Sequence, residues 1–409
     1  MNQNSIESKG GENEQSVEGA ILMVKTYIAH TDEVDDADLA IEQIQSQLGL
    51  DKNLLTHSIG IIACHYEFVE SGVVKAVCDA LPFDVAGTIS SLIAIPGKAD
   101  SLLLTIMVIT SDDTEFVSVL TPSLETDPNG VISEAYKNAT AGRTEKPAMI
   151  LTYAPFLTQH SGDDYVNIVT EASEGAPCFG TLAVDDTADF SNCFMLFNGT
   201  HYKDRMSLVL AYGKIKPRFF IVNVSEGKVM DKSAIITKSK GHVIEEVNGR
   251  PIAEFFESLG LTKASEVSFG LSMLPFLLDY NDGTPRVSKV IIRLTPERYA
   301  LCAGATPEGS TFHIAMPDKD DILMTSEQGM DEILEHIEGM SGCLIYSCIA
   351  RSMMMGKELF DEIDTVSKKL SGNLEFMMAY SGGEICPTQT ADTKITNRFH
   401  NNALIACLF

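Results

Sequence analysis

Residues 357–384 read KELFDEIDTVSKKLSGNLEFMMAYSGGE. Lys357 to Leu370 is an amphipathic stretch of helical period, and Glu375 to Tyr380 is a short apolar strand that leaves by a double glycine. The same order of helix, strand and glycine turn recurs at Val69–Gly87 and at Tyr165–Gly180. Internal repetition of one supersecondary unit predicts related parts of one architecture, read here as two related halves. The layout mixes such units with hairpins, so the expected class is α+β: two related α/β-layered domains with mainly antiparallel or mixed sheets flanked by helices.

Outward from that stretch, the chain alternates apolar strands with capped helices. A helix from about Asp35 to Leu48 is stopped by Gly49, and Ser58 to Cys64 is a nearly continuous apolar strand. Leu102 to Ile109 and Phe116 to Leu120 are expected to pair across Ser111-Asp112-Asp113. Cys193 to Phe197 and Met206 to Tyr212 are expected to pair around Asn198-Gly199, a strong hairpin signal. Thr325-Ser326-Glu327-Gln328 reads as the capping box of a helix that runs to Met340. Gly213-Lys214-Ile215-Lys216-Pro217 is a seam, dividing a domain at 20–216 from one at 217–409. Residues 1–19 are too polar to offset their own ordering entropy and are expected to form a disordered tail, without the apolar segment of a signal peptide.

The 409 residues carry 30 Lys and Arg against 57 Asp and Glu, a net charge of −27. Such a polyanion repels phosphate backbones and anionic lipid, which disfavours nucleic acid and peripheral membrane as partners. The longest apolar runs, Leu102 to Thr110 and Leu271 to Leu278, are too short to span a bilayer. Nine cysteines are scattered, most of them inside apolar runs, as small hydrophobes in a reducing, cytoplasmic setting. The Gly-rich phosphate loops, GxSxG, HExxH and EF-hand patterns are absent.

Polar chemistry gathers near the C-terminus. Tyr380-Ser381-Gly382-Gly383-Glu384 presents a carboxylate beside backbone N–H groups, and Cys348-Ile349-Ala350-Arg351 ends another apolar strand with a guanidinium. Asn397-Arg398-Phe399-His400-Asn401-Asn402 leads into the last strand. Side by side, these strand ends would bring Arg351, Glu384 and His400 together, an Arg for a carboxylate and a Glu for an ammonium group. The candidate ligand-binding set is Cys348, Arg351, Tyr380, Gly382, Gly383, Glu384, His400 and Asn401. The alternative is that Arg351 and Glu384 form a structural bridge with each other. His336 and Met340 read as a polar face beside a core methionine, Met353-Met354-Met355 as adaptable filler, and Asp185-Asp186 and Asp318 to Asp321 as solvated charges.

Leu344-Ile345-Tyr346-Ser347-Cys348-Ile349-Ala350-Arg351, Tyr380-Ser381-Gly382-Gly383-Glu384-Ile385-Cys386-Pro387 and the closing His400-Asn401-Asn402-Ala403-Leu404 resemble the FIST family, paired N- and C-terminal FIST domains. Gly175 to Gly180, Phe197-Asn198-Gly199 and Val247-Asn248-Gly249-Arg250-Pro251 extend the resemblance. One departure is Ala86-Gly87-Thr88-Ile89-Ser90-Ser91, where no acid matches Glu384, so a site built from both halves would be asymmetric or served mainly by the C-terminal half.

The resemblance implies a small-molecule sensor for amino acids or related metabolites. Its output would pass to a separate signalling partner such as a histidine kinase or chemotaxis receptor. It also implies an alternative, a non-covalent haem sensor of nitric oxide with His400 or His313 as axial ligand. A scaffold without a ligand, and an acid–base enzyme using Glu384 and His400, are the remaining readings. No cofactor is otherwise expected.

Overall fold

The computed structural model describes residues 24–156, 160–185, 187, 191–261, 270–390 and 394–409. The tail read at 1–19 lies outside them. The first segment runs β1 (Lys25–Thr31), helix Ala37–Leu48, β2 (His57–Cys64), helix Val73–Asp79, β3 (Val85–Ile89), β4 (Ile93–Ile95), β5 (Lys98–Asp100) and β6 (Leu104–Ser111). The second runs β7 (Thr114–Leu120), helix Pro128–Ala139, β8 (Met149–Ala154), helix Gly162–Ala172, β9 (Cys178–Leu182), β10 (Met195–Phe197), β11 (Thr200–Tyr202) and β12 (Ser207–Gly213).

A third segment opens with β13 (Arg218–Val222) and is interrupted by an insertion. Its strands are β14 (Val229–Lys240), β15 (Val243–Val247), β16 (Arg250–Pro251), β17 (Phe276–Asp279), β18 (Val287–Lys289), β19 (Ile291–Leu294), β20 (Ala300–Cys302) and β21 (Thr311–Ala315). The segment resumes with helix Lys319–Leu334, β22 (Gly342–Cys348), helix Asp361–Leu370, β23 (Glu375–Ser381), β24 (Glu384–Gln389), β25 (Ile395–His400) and β26 (Leu404–Leu408).

Each segment builds the same sheet. A parallel pair (β2 with β3, β8 with β9, β22 with β23) is flanked by the segment's last strand, which pairs antiparallel with its first. The far side of each pair is completed by another segment's hairpin. β4–β5 joins β23, β10–β11 joins β3, and β24–β25 joins β9, so the exchange is cyclic and closes. The inner faces of the three sheets share one core, with Ile61 and Met107, Leu151 and Phe179, and Leu344 and Ile405 from the successive segments. Helices cover the outer faces over three further cores. β6 and β22 are buried along their whole length on both faces, and both read as mainly apolar runs.

The mixed sheets flanked by helices bear out the α+β class. The three recurrences of helix, strand and glycine fall one to each sheet. Gly87 and Gly180 occupy matching positions, where an added Cβ would lie 1.9 Å from the carbonyl oxygen of Ile62 or Thr152 on the parallel neighbour. The seam at Gly213–Pro217 lies between β12 and β13. The insertion is an antiparallel sheet ordered β18-β17-β21-β14-β15-β20-β19, with β16 on β15, around a core of its own.

Four local expectations are corrected. β6 and β7 do not pair: each belongs to a different sheet, and the turn at Asp112 carries the chain round a corner. Asn198 and Gly199, both at positive φ, do make a hairpin, but Thr200–Tyr202 pairs with Met195–Phe197 while Ser207–Gly213 joins the next sheet. The helix expected to start at Thr325 begins at Lys319, because Asp318 caps it by accepting from the Asp321 N–H at 3.0 Å. Asp321 is buried and bonded to Ser225, so it is structural rather than solvated, whereas Asp318 and Asp320 are exposed as expected.

Candidate functional site

The three polar stretches singled out in the sequence meet at one end of the three-sheet body, where β22 ends, β23 turns into β24 and β25 turns into β26. β22 pairs with both β23 and β26, and Glu384 faces His400 across the β24–β25 pair. The turn needs its glycines. Gly382 passes so close to Ala183 that a Cβ would sit 2.7 Å from that residue's carbonyl oxygen. Gly383, at φ +148°, leaves room for the Phe399 ring, 2.2 Å from where its Cβ would be.

Arg351 lies in the short helix Ile349–Met355 and is fully buried. Its ionic partner is Glu362, not Glu384. Nε donates to Glu362 Oε1 at 2.8 Å, and a second nitrogen approaches that oxygen at 2.7 Å. Glu362 further accepts from Ser326 (2.8 Å), Ser347 (3.0 Å) and the Tyr380 hydroxyl (2.8 Å). The structural bridge weighed between Arg351 and Glu384 is therefore replaced by one with Glu362. Its acid stands in the Glu362, Val366, Leu370 register of the helix, a buried row where a carboxylate is a readable signal. Arg351 keeps one free hand: Nη1 has no partner among the described residues.

Glu384 is fully buried and accepts from Ser381 through Oε1, while Oε2 has no partner among the described residues. The Cys348 thiol, the Ala403 N–H and the Arg351 charge lie near enough to favour its ionised form, but none makes a well-formed bond to Oε2. Burial dominates and pushes the carboxyl up to about 8. Cys348 is raised as well, by burial and then by Glu384, so it is an unreactive thiol. His400 is 1 % exposed, and burial followed by the charge of Lys289 pulls its imidazole down to about 3. Near neutral pH a protonated carboxyl thus faces a neutral imidazole.

Further orphaned polar atoms surround this pair. Both side-chain ends of Asn401, Asn402 Oδ1 and Ser288 Oγ are buried without partners among the described residues. They are contiguous: the Asn401 N–H donates to Ser288 O at 2.9 Å, and Asn401 Nδ2 lies 3.0 Å from the Cβ that Gly383 lacks. The insertion covers them, with Val290 and Ala303 packed on Cys348 and Ala350. Lys289 of the insertion donates to Asp163 Oδ2 (2.7 Å) and to the Phe399 carbonyl (2.6 Å).

For haem, the residues do not offer an open axial face. His400 Nε2 is 3.3 Å from the Cys386 carbonyl in a closed surround, and His313 sits in β21 with strands paired on both sides. Of the acidic pairs, Asp185 is buried and bonded to Asn192 N–H, while Asp186 lies outside the described residues. Among the described residues no cluster of His, Cys, Asp and Glu could hold a metal ion, and no helix is long and apolar enough to cross a membrane.

A family model described as the FIST N domain matches residues 58–250, and one described as the FIST C domain matches residues 253–387. No curated protein matches. Among solved structures, cyanuric acid hydrolase from A. caulinodans is 8% identical over 95% of this chain and 98% of its own, with a TM-score of 0.37. T. maritima PurL complexed with AMPPCP is 10% identical over 94% of this chain and 72% of its own, with a TM-score of 0.19. Likenesses this distant carry no functional argument.

Proposed function

We propose, from the premise that this chain belongs to the FIST family, that its ligand is an amino acid or a metabolite of the same zwitterionic build, bound between Arg351 and Glu384. FIST domains are small-ligand sensory domains of signal transduction, so what needs argument is the ligand and the route of the signal.

The observation that carries the reading is the run of buried polar atoms left without partners. Native interiors leave few such atoms, because each costs about 1–3 kcal/mol when unsatisfied. Here Arg351 Nη1, Glu384 Oε2, Asn401 Oδ1 and Nδ2, and Asn402 Oδ1 are gathered under one cover. Their chemistry is complementary to a zwitterion. Arg351 Nη1 and Asn401 Nδ2 donate to a carboxylate, while Glu384 and the two Asn oxygens accept from an ammonium group.

Because Glu362 holds the other face of the guanidinium, Arg351 is oriented before ligand arrives. Entry requires the insertion to lift, so occupancy and the position of the insertion are coupled. That movement is the signal we assign, read by a separate partner such as a histidine kinase or chemotaxis receptor. The nine buried cysteines, none of them in a disulfide, support a cytoplasmic setting.

Calorimetric titration of the full chain against the common amino acids tests this. One of them should bind with release of a proton from Glu384, seen as a binding enthalpy that changes with buffer ionisation. Glu384→Gln should abolish the proton release and weaken binding at least tenfold. Binding by no amino acid, or binding unchanged in Glu384→Gln and Arg351→Lys, overturns the assignment.

A further inference from the structure

β13 is an edge strand: it pairs with β26 and, among the described residues, with no strand on its other side. Which of its backbone groups face that open side follows from the ladder. Gly342 and Phe409 exchange backbone hydrogen bonds of 3.0 and 3.1 Å, and the Cys348 N–H donates to Ala403 O at 2.9 Å. Alternate residues of β26, Ile405 and Cys407, therefore bond β22, which leaves Leu404, Ala406 and Leu408 to bond Val222, Phe220 and Arg218 of β13. Phe219 and Ile221 turn their N–H and C=O groups outward, and none of the four has a hydrogen-bond partner among the described residues.

The faces of β13 are occupied: Phe219 stacks on Phe179 in the shared core, and Phe220 meets the His336 ring on the helix side. The edge is open. A cavity of about 670 Å³ is lined by residues 217–221 in succession, which places it along the backbone and not on either face. Natural sheets blunt such an edge with a proline, a bulge or a charge. From Phe219 to Val222 β13 has none of these, and its register with β26 is unbroken. Of the six edge strands of the three-sheet body, it alone carries four apolar residues in a row.

Charge selects the occupant. Lys216 and Arg218 are exposed and form no ion pair among the described residues, in a chain of net charge −27. Arg286, at the cavity lining, is taken by Glu226 at 3.0 Å, and Glu332 also stands there, so the free positive charge lies at the start of β13. A second copy brings the same large negative charge and is repelled.

We propose that β13 accepts an extended segment of a partner protein as an added antiparallel strand, with acidic residues at the C-terminal end of the segment to meet Arg218 and Lys216. The added backbone satisfies the outward groups of Phe219 and Ile221. Neither Arg351 nor Glu384 enters, so the proposal stands apart from the zwitterion site.

The test is fluorescence anisotropy of the full chain with an N-terminally labelled Thr-Val-Thr-Val-Asp-Glu amide. The peptide should bind, and replacing its two acids with lysine, or Arg218→Glu in the protein, should weaken binding about tenfold. N-methylation of one alternate set of peptide amides should abolish binding and of the other set should not, because only every second residue faces the ladder. Ile221→Pro removes an outward N–H, so it should keep the parent's circular dichroism and lose the peptide, whereas Phe220→Pro removes a bond to β26 and should destabilise the protein. Failure of the peptide to bind at millimolar concentration overturns the proposal, as does unchanged binding by Arg218→Glu or tolerance of both N-methyl patterns. Dimerisation in sedimentation that Ile221→Pro abolishes would assign the edge to a second copy instead. Binding that appears only once residues 1–23 are removed would assign it to that segment of the chain.

Discussion

Lys289 of the insertion and Asp163 of the second segment form an ion pair of 2.7 Å with side-chain exposures of 0% and 8%. It is the buried tie between the cover and the body. Lys289 Nζ also donates to Phe399 O, and Asp163 Oδ2 also accepts from the Ala305 N–H at 2.7 Å. Gly304 makes room for the pair, since a Cβ there would lie 2.6 Å from both charged atoms. Removing one partner strands the other charge in a dry interface. Lys289→Met is expected to cost about 3–5 kcal/mol in urea denaturation and to expose the insertion to limited proteolysis. Adding Asp163→Leu should recover part of the loss. A single variant as stable and protease-resistant as the parent would show that the pair is not the tie.

Glu384 and His400 predict a pH profile with two separate arms. Unfolded, they titrate near 4.5 and 6.5; folded, near 8 and 3. Between 4.5 and 6.5 the folded state holds a proton on Glu384 that the unfolded chain has lost, and lacks one on His400 that the unfolded chain has bound. The two slopes then oppose each other. Above 6.5 only Glu384 acts, and stability falls as pH rises through its folded value, by about 2 kcal/mol up to pH 8. Below 4.5 only His400 acts, and stability falls toward pH 3. Stability of Glu384→Gln should lose the alkaline arm relative to the parent, and that of His400→Gln the acid arm. Arms that survive these substitutions would assign the titration to other groups.

Arg351 separates positioning from binding. Arg351→Met leaves Glu362 buried with three hydroxyl donors and no cation, an expected loss of about 3–5 kcal/mol. Arg351→Lys keeps the charge beside Glu362 and should cost less. It has no second arm to replace Nη1, so amino-acid binding should fall as far as in Arg351→Met. Thermal denaturation and titration of both variants distinguish the roles. Binding retained by Arg351→Lys would remove Nη1 from the site.

What the sequence disclosed follows from which forces act locally. Leu344 to Cys348 declared itself as a strand because both of its faces are buried, and Gly49 ended its helix because the left-handed cap requires no Cβ. Asn198-Gly199 declared a turn, yet the wrong second strand was expected. The hairpins are exchanged between sheets, and no local pattern encodes which sheet receives them. The site was legible in its strand ends and not in its pairings. Glu362 meets Arg351, and Lys289 meets Asp163 from far along the chain. Both unread partners share a signature, a charged residue in an otherwise apolar register, as at Lys289 within Val287 to Ile292.

The cyclic architecture offers the sharpest test of what Glu384 is for. It opens β24 opposite Thr181; Met195 opens β10 opposite Thr88, and Ile93 opens β4 opposite Ala379. These are the same position in three sheets, and the other two occupants belong to the shared apolar core. A fold that accepts Met and Ile there gains nothing in packing from a carboxyl. Places where a local rule is broken without structural compensation are where function is expected. Glu384→Met should therefore stabilise the protein by about 1–3 kcal/mol at pH 8, where the buried carboxyl is half ionised. Ser381 would keep the Ser347 carbonyl as its partner at 3.3 Å. The same variant should lose amino-acid binding and the associated proton release. The reciprocal Met195→Glu should destabilise by about 3 kcal/mol or more, because neither Arg351 nor Ser381 stands beside that position. Loss of stability in Glu384→Met would instead make Glu384 a structural group, and the departure from the repeat would need another cause.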